Sequence, residues 1–152
     1  MNIEELRKVQ SLEGKVAIVT GSSRPNGQGL AISKALAIRG AKLVMTDLPG
    51  DDPRYNFAGL GVGSAEELEV AVEQVKALGT DAIGVTFDVT DRAAIQACVE
   101  KTVETFSGID ILVNNAGSLH SGPVEELTEE MWDASYRVNI KALADFSRSL
   151  RG

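Results

Sequence analysis

A glycine-rich polar segment, Thr20 to Gly29, separates a short apolar run from a longer amphipathic one. The run over 16–19 predicts a buried strand, and the pattern from Gly29 to Arg39 predicts a helix ended by Gly40. Glycines at such a junction let the backbone turn tightly and approach an anion. The helix start adds free N–H groups and the positive end of its dipole. The segment therefore predicts a pyrophosphate site, in preference to an ordinary Gly/Pro loop.

A carboxylate follows at the end of the second predicted strand. Asp47 closes the apolar run over 43–45 and lies 18 positions after Gly29. From this position a carboxylate can accept hydrogen bonds from the hydroxyls of an adenosine ribose. The simpler alternative is an aspartate that only ends the strand. A carboxylate here would repel a 2′-phosphate, so Asp47 favours NAD over NADP, whereas Arg24 in the glycine-rich segment favours the phosphate.

Helical and strand patterns alternate along the rest of the chain. Ser64 and Glu67 form a capping box, and Thr90 or Asp91 caps a later helix. The predicted helices cover 64–78, 91–106, 128–132 and 139–150, and the further strands cover 82–85 and 109–113. This alternation indicates an α/β fold with a parallel sheet flanked by helices, in strand order 3-2-1-4. We expect residues 1–11 to form an N-terminal arm, 12–152 one domain, and 48–63 a polar loop.

Composition and charge exclude several classes of partner. The net charge is −7 and no Lys/Arg cluster is present, so we expect neither a nucleic-acid surface nor a membrane surface. No apolar run approaches the roughly 20 residues of a membrane span. The single His120 predicts no metal site, and the lone Cys98 is interpreted as a core residue. A single cysteine and a charged N-terminal segment without a signal peptide favour a cytoplasmic protein.

Four motifs occur in a specific order along the chain. Thr20-Gly21 with Gly27 and Gly29 comes first, then Asp88-Val89 after the third strand, Asn114-Asn-Ala-Gly117 after the fourth, and Val138-Asn139 on the last helix. Over about residues 12–145 the chain thereby resembles the short-chain dehydrogenase/reductase family. The resemblance implies a Rossmann-like dinucleotide-binding fold. It also implies hydride transfer between NAD or NADP and an alcohol or carbonyl substrate.

The resemblance also implies roles for individual residues. Asp88 and Val89 would contact the adenine, the backbone of 115–117 would line the ribose, and Asn114 would brace the sheet centre. Asn139 would be the catalytic asparagine that holds a helix kink and a relay water. The expected cofactor-binding set is Gly21, Ser23, Arg24, Gly27, Gly29, Asp47, Asp88, Val89, Asn115, Ala116 and Gly117.

Two departures from the family pattern affect these expectations. Five residues separate Gly21 from Gly27, where the family usually has three, and Pro25 and Asn26 are the candidates for the extra pair. No Tyr-x-x-x-Lys occurs in the 152 residues, so we expect a sheet truncated before its fifth strand. The alternatives to a dehydrogenase are a non-catalytic dinucleotide-binding module or fragment, or one half of a split enzyme. An unpaired fourth strand predicts self-association.

Overall fold

The computed structural model describes residues 4–5, 11–50, 52–55 and 63–151. Its centre is a four-stranded parallel sheet in the order β3-β2-β1-β4, as predicted. The strands are β1 (Val16–Thr20), β2 (Lys42–Asp47), β3 (Ala82–Thr86) and β4 (Ile111–Val113). Val19 pairs with Met45 on one side and with Val113 on the other. Because all four strands are parallel, their carboxyl ends meet at one edge of the sheet.

Within residues 11–50 and 63–151, five α-helices flank the sheet: α1 (Gln28–Ile38), α2 (Ala65–Lys76), α3 (Arg92–Phe106), α4 (Glu129–Tyr136) and α5 (Ala142–Ser149). The predicted capping box of Ser64 and Glu67 is confirmed at α2. Of the two candidates for α3, Asp91 is the cap, since its carboxylate accepts from the N–H groups of Ala93 and Ala94. A short 3-10 helix, Val124–Glu126, precedes α4.

Two of the predicted boundaries that differ from the structure have a local physical reason. The helix capped by Thr128 does not stop at Trp132 but continues through a π-helical turn, Arg137–Lys141, into α5. No Gly or Pro interrupts residues 129–150, so nothing local ends the helix. Strand β4 begins at Ile111 and not at residue 109. The carboxylate of Asp110 accepts from the Val16 N–H at 2.9 Å, which occupies a donor that strand pairing would otherwise use.

Alternate residues of the central strands pack into two apolar cores, one on each face of the sheet. Val19 and Met45 belong to the core beneath α1 and α2. Ile18 belongs to the opposite core, where it packs with Cys98 and Phe146 from α3 and α5. Cys98 is buried as expected, and burial raises the pKa of its thiol to about 11. The thiol therefore stays protonated and acts as a packing residue.

No helix among the described residues has both the length and the apolar composition needed to cross a bilayer. The same residues contain no group of three metal-ligating side chains. Most of the expected N-terminal arm and residues 51 and 56–62 of the predicted loop lie outside the described ranges.

Candidate cofactor-binding site

A cleft of about 350 Å³ opens at the carboxyl ends of the strands. Nine of the eleven residues expected to bind a cofactor line it: Gly21, Arg24, Gly27, Asp47, Asp88, Val89, Asn115, Ala116 and Gly117. The other lining residues are Gln28, Leu48, Tyr55, Gly63, Phe87, Ser118, Leu119 and Val138. Of the expected set, Ser23 and Gly29 do not line the cleft, and both support residues that do. The structure thus brings the nine expected residues, which belong to four segments far apart in sequence, into one concave site.

The turn between β1 and α1 requires glycine at two positions. Gly21 has φ +70°, and a Cβ there would lie 2.9 Å from the Ala116 Cα. A Cβ on Gly29 would overlap the Gly21 carbonyl oxygen and lie 2.8 Å from the Asn115 amide nitrogen. These close approaches let α1 begin directly against the end of β1. The N-cap of α1 is Gly27, which has no side chain to accept from the first N–H groups of the helix. These N–H groups are therefore available to a ligand in the cleft.

The two extra residues of the glycine-rich segment form an exposed turn. Pro25 and Asn26 lie at its tip, and the Gly27 N–H donates to the Arg24 carbonyl oxygen at 2.9 Å to close it. The insertion therefore projects away from β1. At the base of the segment Gly29 lies directly against Gly21, since a Cβ on Gly29 would overlap the Gly21 carbonyl oxygen.

The Asp47 carboxylate is fixed at the cleft wall by neighbours from two segments. One oxygen accepts from the Ser23 N–H at 2.8 Å and the Ser23 hydroxyl at 2.7 Å, and the other accepts from the Leu48 N–H at 2.9 Å. Gly63 lies so close that a Cβ there would overlap the Ser23 hydroxyl and lie 2.8 Å from Asp47 Cγ. An ionised carboxylate accepts about four hydrogen bonds. Three donors to Asp47 are described, two on one oxygen and one on the other. The oxygen that accepts from the Leu48 N–H can therefore accept one more hydrogen bond.

The ends of β1 and β4 are joined by Asn115 and Thr20. The Asn115 side-chain amide donates to the carbonyl oxygens of Thr20 at 2.9 Å and Gly21 at 3.0 Å. In return the Thr20 hydroxyl accepts from the N–H groups of Asn115 and Ala116, both at 3.0 Å. The prediction that Asn114 braces the sheet was wrong for this structure. Asn114 is exposed because neighbouring side chains point in opposite directions, and Asn115 makes the bracing contacts.

Asn139 lies in the π-helical turn, next to the cleft residue Val138, and does not itself line the cleft. Its side-chain amide donates to the Ser118 carbonyl oxygen and accepts from the Ser118 N–H, both at 2.9 Å. The turn is closed by a bond from the Ala142 N–H to the Arg137 carbonyl oxygen, five residues back. The helix irregularity expected at Asn139 is therefore present, and its side chain ties this turn to the segment after β4.

Tyr55 is a cleft residue that the sequence analysis did not single out. Its hydroxyl donates to an Asp88 carboxylate oxygen at 3.0 Å, across 33 residues of sequence. Arg54 contacts the same oxygen at 3.1 Å. Desolvation by burial is the main cause that raises the pKa of Tyr55, so the phenol stays neutral and can donate. No local pattern in the sequence indicates that a loop after β2 returns to the end of β3.

Comparison with known proteins identifies the class that this fold and cleft define. The family model described as short chain dehydrogenase matches residues 15–151, and the chain belongs to that family, as predicted. It is 42% identical over 130 residues to versicolorin reductase 1 of Aspergillus parasiticus, covering 86% of this chain and 44% of that protein.

Solved structures of the family share the fold. A short chain dehydrogenase from Burkholderia cenocepacia in complex with NADP is 37% identical, with a TM-score of 0.78, over 93% of this chain and 51% of that one. Carveol dehydrogenase from Mycobacterium avium in complex with NAD is 26% identical, with a TM-score of 0.82, over 92% of this chain and 49% of that one. The chain spans about half the length of these proteins.

Proposed function

We propose that this chain forms the dinucleotide-binding part of an NAD(P)-dependent oxidoreductase that acts on an alcohol or carbonyl compound. The observation that most directly supports this proposal is that Ser23 fixes the Asp47 carboxylate on the wall of the cleft that Gly21 also lines. Family membership and the NAD and NADP complexes of similar proteins support the proposal.

The residues of the cleft fit a dinucleotide in two respects. Gly21 and Gly27 carry no side chains, so a pyrophosphate can approach their backbone and the start of α1. The remaining acceptor capacity of Asp47 suits a ribose hydroxyl. Asp88 and Val89 lie at the end of the cleft that would take the adenine, and 115–117 line the side towards the nicotinamide ribose. In such a site the nicotinamide supplies hydride transfer, and this chain's residues bind and orient the dinucleotide.

We further propose that the cofactor is NAD in preference to NADP. Asp47 is held by three hydrogen bonds at the end of a strand, so it cannot readily turn away from a 2′-phosphate. The negative charge of that phosphate would be repelled by the Asp47 carboxylate. Arg24 also lines the cleft, and it lies beside the exposed turn at Pro25. A strand end is positioned more rigidly than a loop, so we expect Asp47 to decide the preference.

Titration calorimetry of the chain with NAD and NADP tests both proposals. We expect NAD to bind more tightly and the preference to shrink or reverse in Asp47→Ala. Asp81→Ala is the matched control, because Asp81 lies in an exposed surface pair with Lys42. Absence of binding of either dinucleotide would overturn the proposed function. Tighter binding of NADP to the unmodified chain would overturn only the proposed preference.

A specific observation favours a second candidate, a dinucleotide-binding module that needs another part to react. Tyr136 is 59% exposed, and the Lys141 ammonium is paired with Asp145 at 2.9 Å, so these two do not form a substitute tyrosine–lysine pair. Asn139 would then support a proton relay without the Tyr-x-x-x-Lys pattern, which does not occur in the 152 residues. We expect the 152-residue chain to bind a dinucleotide without oxidising or reducing any of a panel of alcohols and ketones. The change in NADH absorbance measures this turnover. Turnover that is lost in Asn139→Ala would exclude this second candidate.

A further inference from the structure

Asn26 lies at the exposed tip of the glycine-rich segment and is followed by Gly27. No other asparagine in the 152 residues precedes a glycine. The Gly27 N–H donates to the Arg24 carbonyl oxygen at 2.9 Å and closes the turn. Glycine adopts more backbone conformations than other residues, and exposed turns open at low free-energy cost. The Gly27 backbone nitrogen is therefore released from this hydrogen bond from time to time.

The released nitrogen can react with the neighbouring Asn26 side chain. It loses its proton to hydroxide and forms a bond to the Asn26 Cγ, which closes a five-membered imide ring. The C–N bond of the side-chain amide breaks, and the leaving nitrogen takes a proton from water and departs as ammonia. Water then opens the imide at either carbonyl carbon, which yields aspartate or, with one extra main-chain carbon, isoaspartate. Because Gly27 has no Cβ, no side chain on the attacking residue obstructs the approach.

Three other asparagines lie within the described residues, and their contacts oppose the same reaction. The side-chain amide of Asn115 donates to the Thr20 carbonyl oxygen at 2.9 Å, and that of Asn139 donates to a backbone carbonyl oxygen at 2.9 Å. Asn114 is exposed, but the backbone nitrogen that would attack it belongs to Asn115 and donates to the Thr20 hydroxyl at 3.0 Å. Each of the three is also followed by a residue with a side chain. The structure thus distinguishes Asn26 from the others.

A carboxylate at position 26 would lie beside the expected pyrophosphate site. Asn26 directly precedes Gly27, the N-cap of α1, and Arg24, Gly27 and Gln28 all line the cleft. The positive end of the helix dipole and the first N–H groups of α1 would then face a resident negative charge. The Arg24 guanidinium would be attracted to the same charge. Both effects disfavour a bound pyrophosphate.

We propose that Asn26 is a site of spontaneous deamidation and that the carboxylate formed there weakens dinucleotide binding. The effect on binding rests on the proposed function, whereas the deamidation does not depend on it. The fold should tolerate the aspartate product, because a negative charge before the first turn of a helix stabilises the helix. The loss of binding therefore precedes any loss of structure.

Incubation of the chain in mildly alkaline buffer, followed by peptide mapping with mass spectrometry, measures the conversion at each asparagine. We expect Asn26 to convert several times faster than Asn114, which is also exposed. The incubation should lower the NAD affinity of the unmodified chain, measured by titration calorimetry. Asn26→Gln is the matched control, because its longer side chain would have to close a six-membered ring, and it should keep its affinity. Equal conversion at Asn26 and Asn114 would overturn the proposed modification site.

Asn26→Asp reproduces the charge of the product without the incubation. We expect it to bind NAD about fivefold more weakly at low salt, the scale for two unit charges about 4 Å apart in water, and the loss to shrink at high salt. Gly108→Asp adds the same charge in the loop between α3 and β4, at the opposite edge of the sheet, and should change the affinity little. Urea denaturation should give Asn26→Asp at least the midpoint of the unmodified chain.

Unchanged NAD affinity in a folded Asn26→Asp variant at low salt would overturn the effect on binding. If the unmodified chain binds neither NAD nor NADP, the proposed function fails and the effect on binding fails with it. The conversion measured by mass spectrometry decides the modification site in either case.

Discussion

Asn139 and the backbone of Ser118 form a reciprocal pair of hydrogen bonds, each 2.9 Å long. Both polar atoms of the asparagine amide are used, one as donor and one as acceptor. The pair links the π-helical turn to the segment that follows β4, 21 residues earlier. It therefore positions the far end of the cleft relative to the sheet.

Asn139→Asp should lower the free energy of unfolding by about 1–3 kcal/mol, because a carboxylate oxygen would face the Ser118 carbonyl oxygen and leave it without its donor. Urea denaturation followed by circular dichroism measures the change. Asn114→Asp is the matched control, since Asn114 is exposed. Equal unfolding midpoints for Asn139→Asp and the unmodified chain would contradict the role given to this hydrogen-bond pair.

Gly29→Ala should both destabilise the chain and abolish tight dinucleotide binding. The added Cβ would overlap the Gly21 carbonyl oxygen, which is backbone and cannot rotate away. Forcing one extra carbon into such a contact costs about 1–3 kcal/mol. Gly108→Ala makes the same substitution where no atom lies within 4 Å of the added carbon, and it should leave NAD binding unchanged. Normal stability and binding in Gly29→Ala would show that α1 does not need this close approach.

The free energy of unfolding at acid pH should depend on the Asp145 carboxylate. Arg92 donates two hydrogen bonds to its carboxylate, at 2.9 and 2.7 Å, and Lys141 a third at 2.9 Å, and these hold the pKa of Asp145 well below its usual range. A lowered folded-state pKa stabilises the fold fully above the unfolded pKa of about 3.9. The stabilisation is lost as pH falls from there through the folded pKa.

Urea midpoints measured from pH 7 to pH 2 test this dependence. We expect Asp145→Asn to be less stable than the unmodified chain by a constant amount at pH 5–7, and the difference to shrink below about pH 4. Asp81→Asn, which changes an exposed carboxylate 3.5 Å from Lys42, should show little difference at any pH. A difference between Asp145→Asn and the unmodified chain that does not vary with pH would contradict the ionic origin.

Self-association is expected from the edge of the sheet and the neighbouring helix surface. In the part of the chain that the structure describes, β4 pairs only with β1, and Trp132, Tyr136 and Ile140 are 56%, 59% and 58% exposed. Apolar surface beside an unpaired strand favours contact with a second copy. Ile140→Glu should shift the mass measured by light scattering towards the monomer, whereas Val70→Glu on α2 should not. A monomeric unmodified chain at high concentration would exclude this expectation.

The sequence by itself determined the strand order, the helix cap at Ser64 and the glycine-rich turn, and it left Thr90 and Asp91 as the two candidates for the cap of α3. These features depend on short-range periodicity, on hydrogen bonds between near neighbours, and on the right-handedness of parallel crossovers. The caps and the turn can each be read within a few residues of the chain, and the strand order follows from the succession of strands and helices. The family was predicted for the same reason, because its motifs are short and follow one another in a known order.

Only the tertiary structure decided which side chains hold one another at the cleft. Ser23 meets Asp47 across 24 residues, Tyr55 meets Asp88 across 33, and Asn139 meets Ser118 across 21. These pairs depend on the paths of loops and on the angle at which each helix packs, and no residue pattern of fixed period encodes either. For the same reason the sequence did not show that Asn115, and not Asn114, makes the bracing contacts to β1. Which of two adjacent side chains faces the neighbouring strand is settled by the direction in which the chain leaves β4.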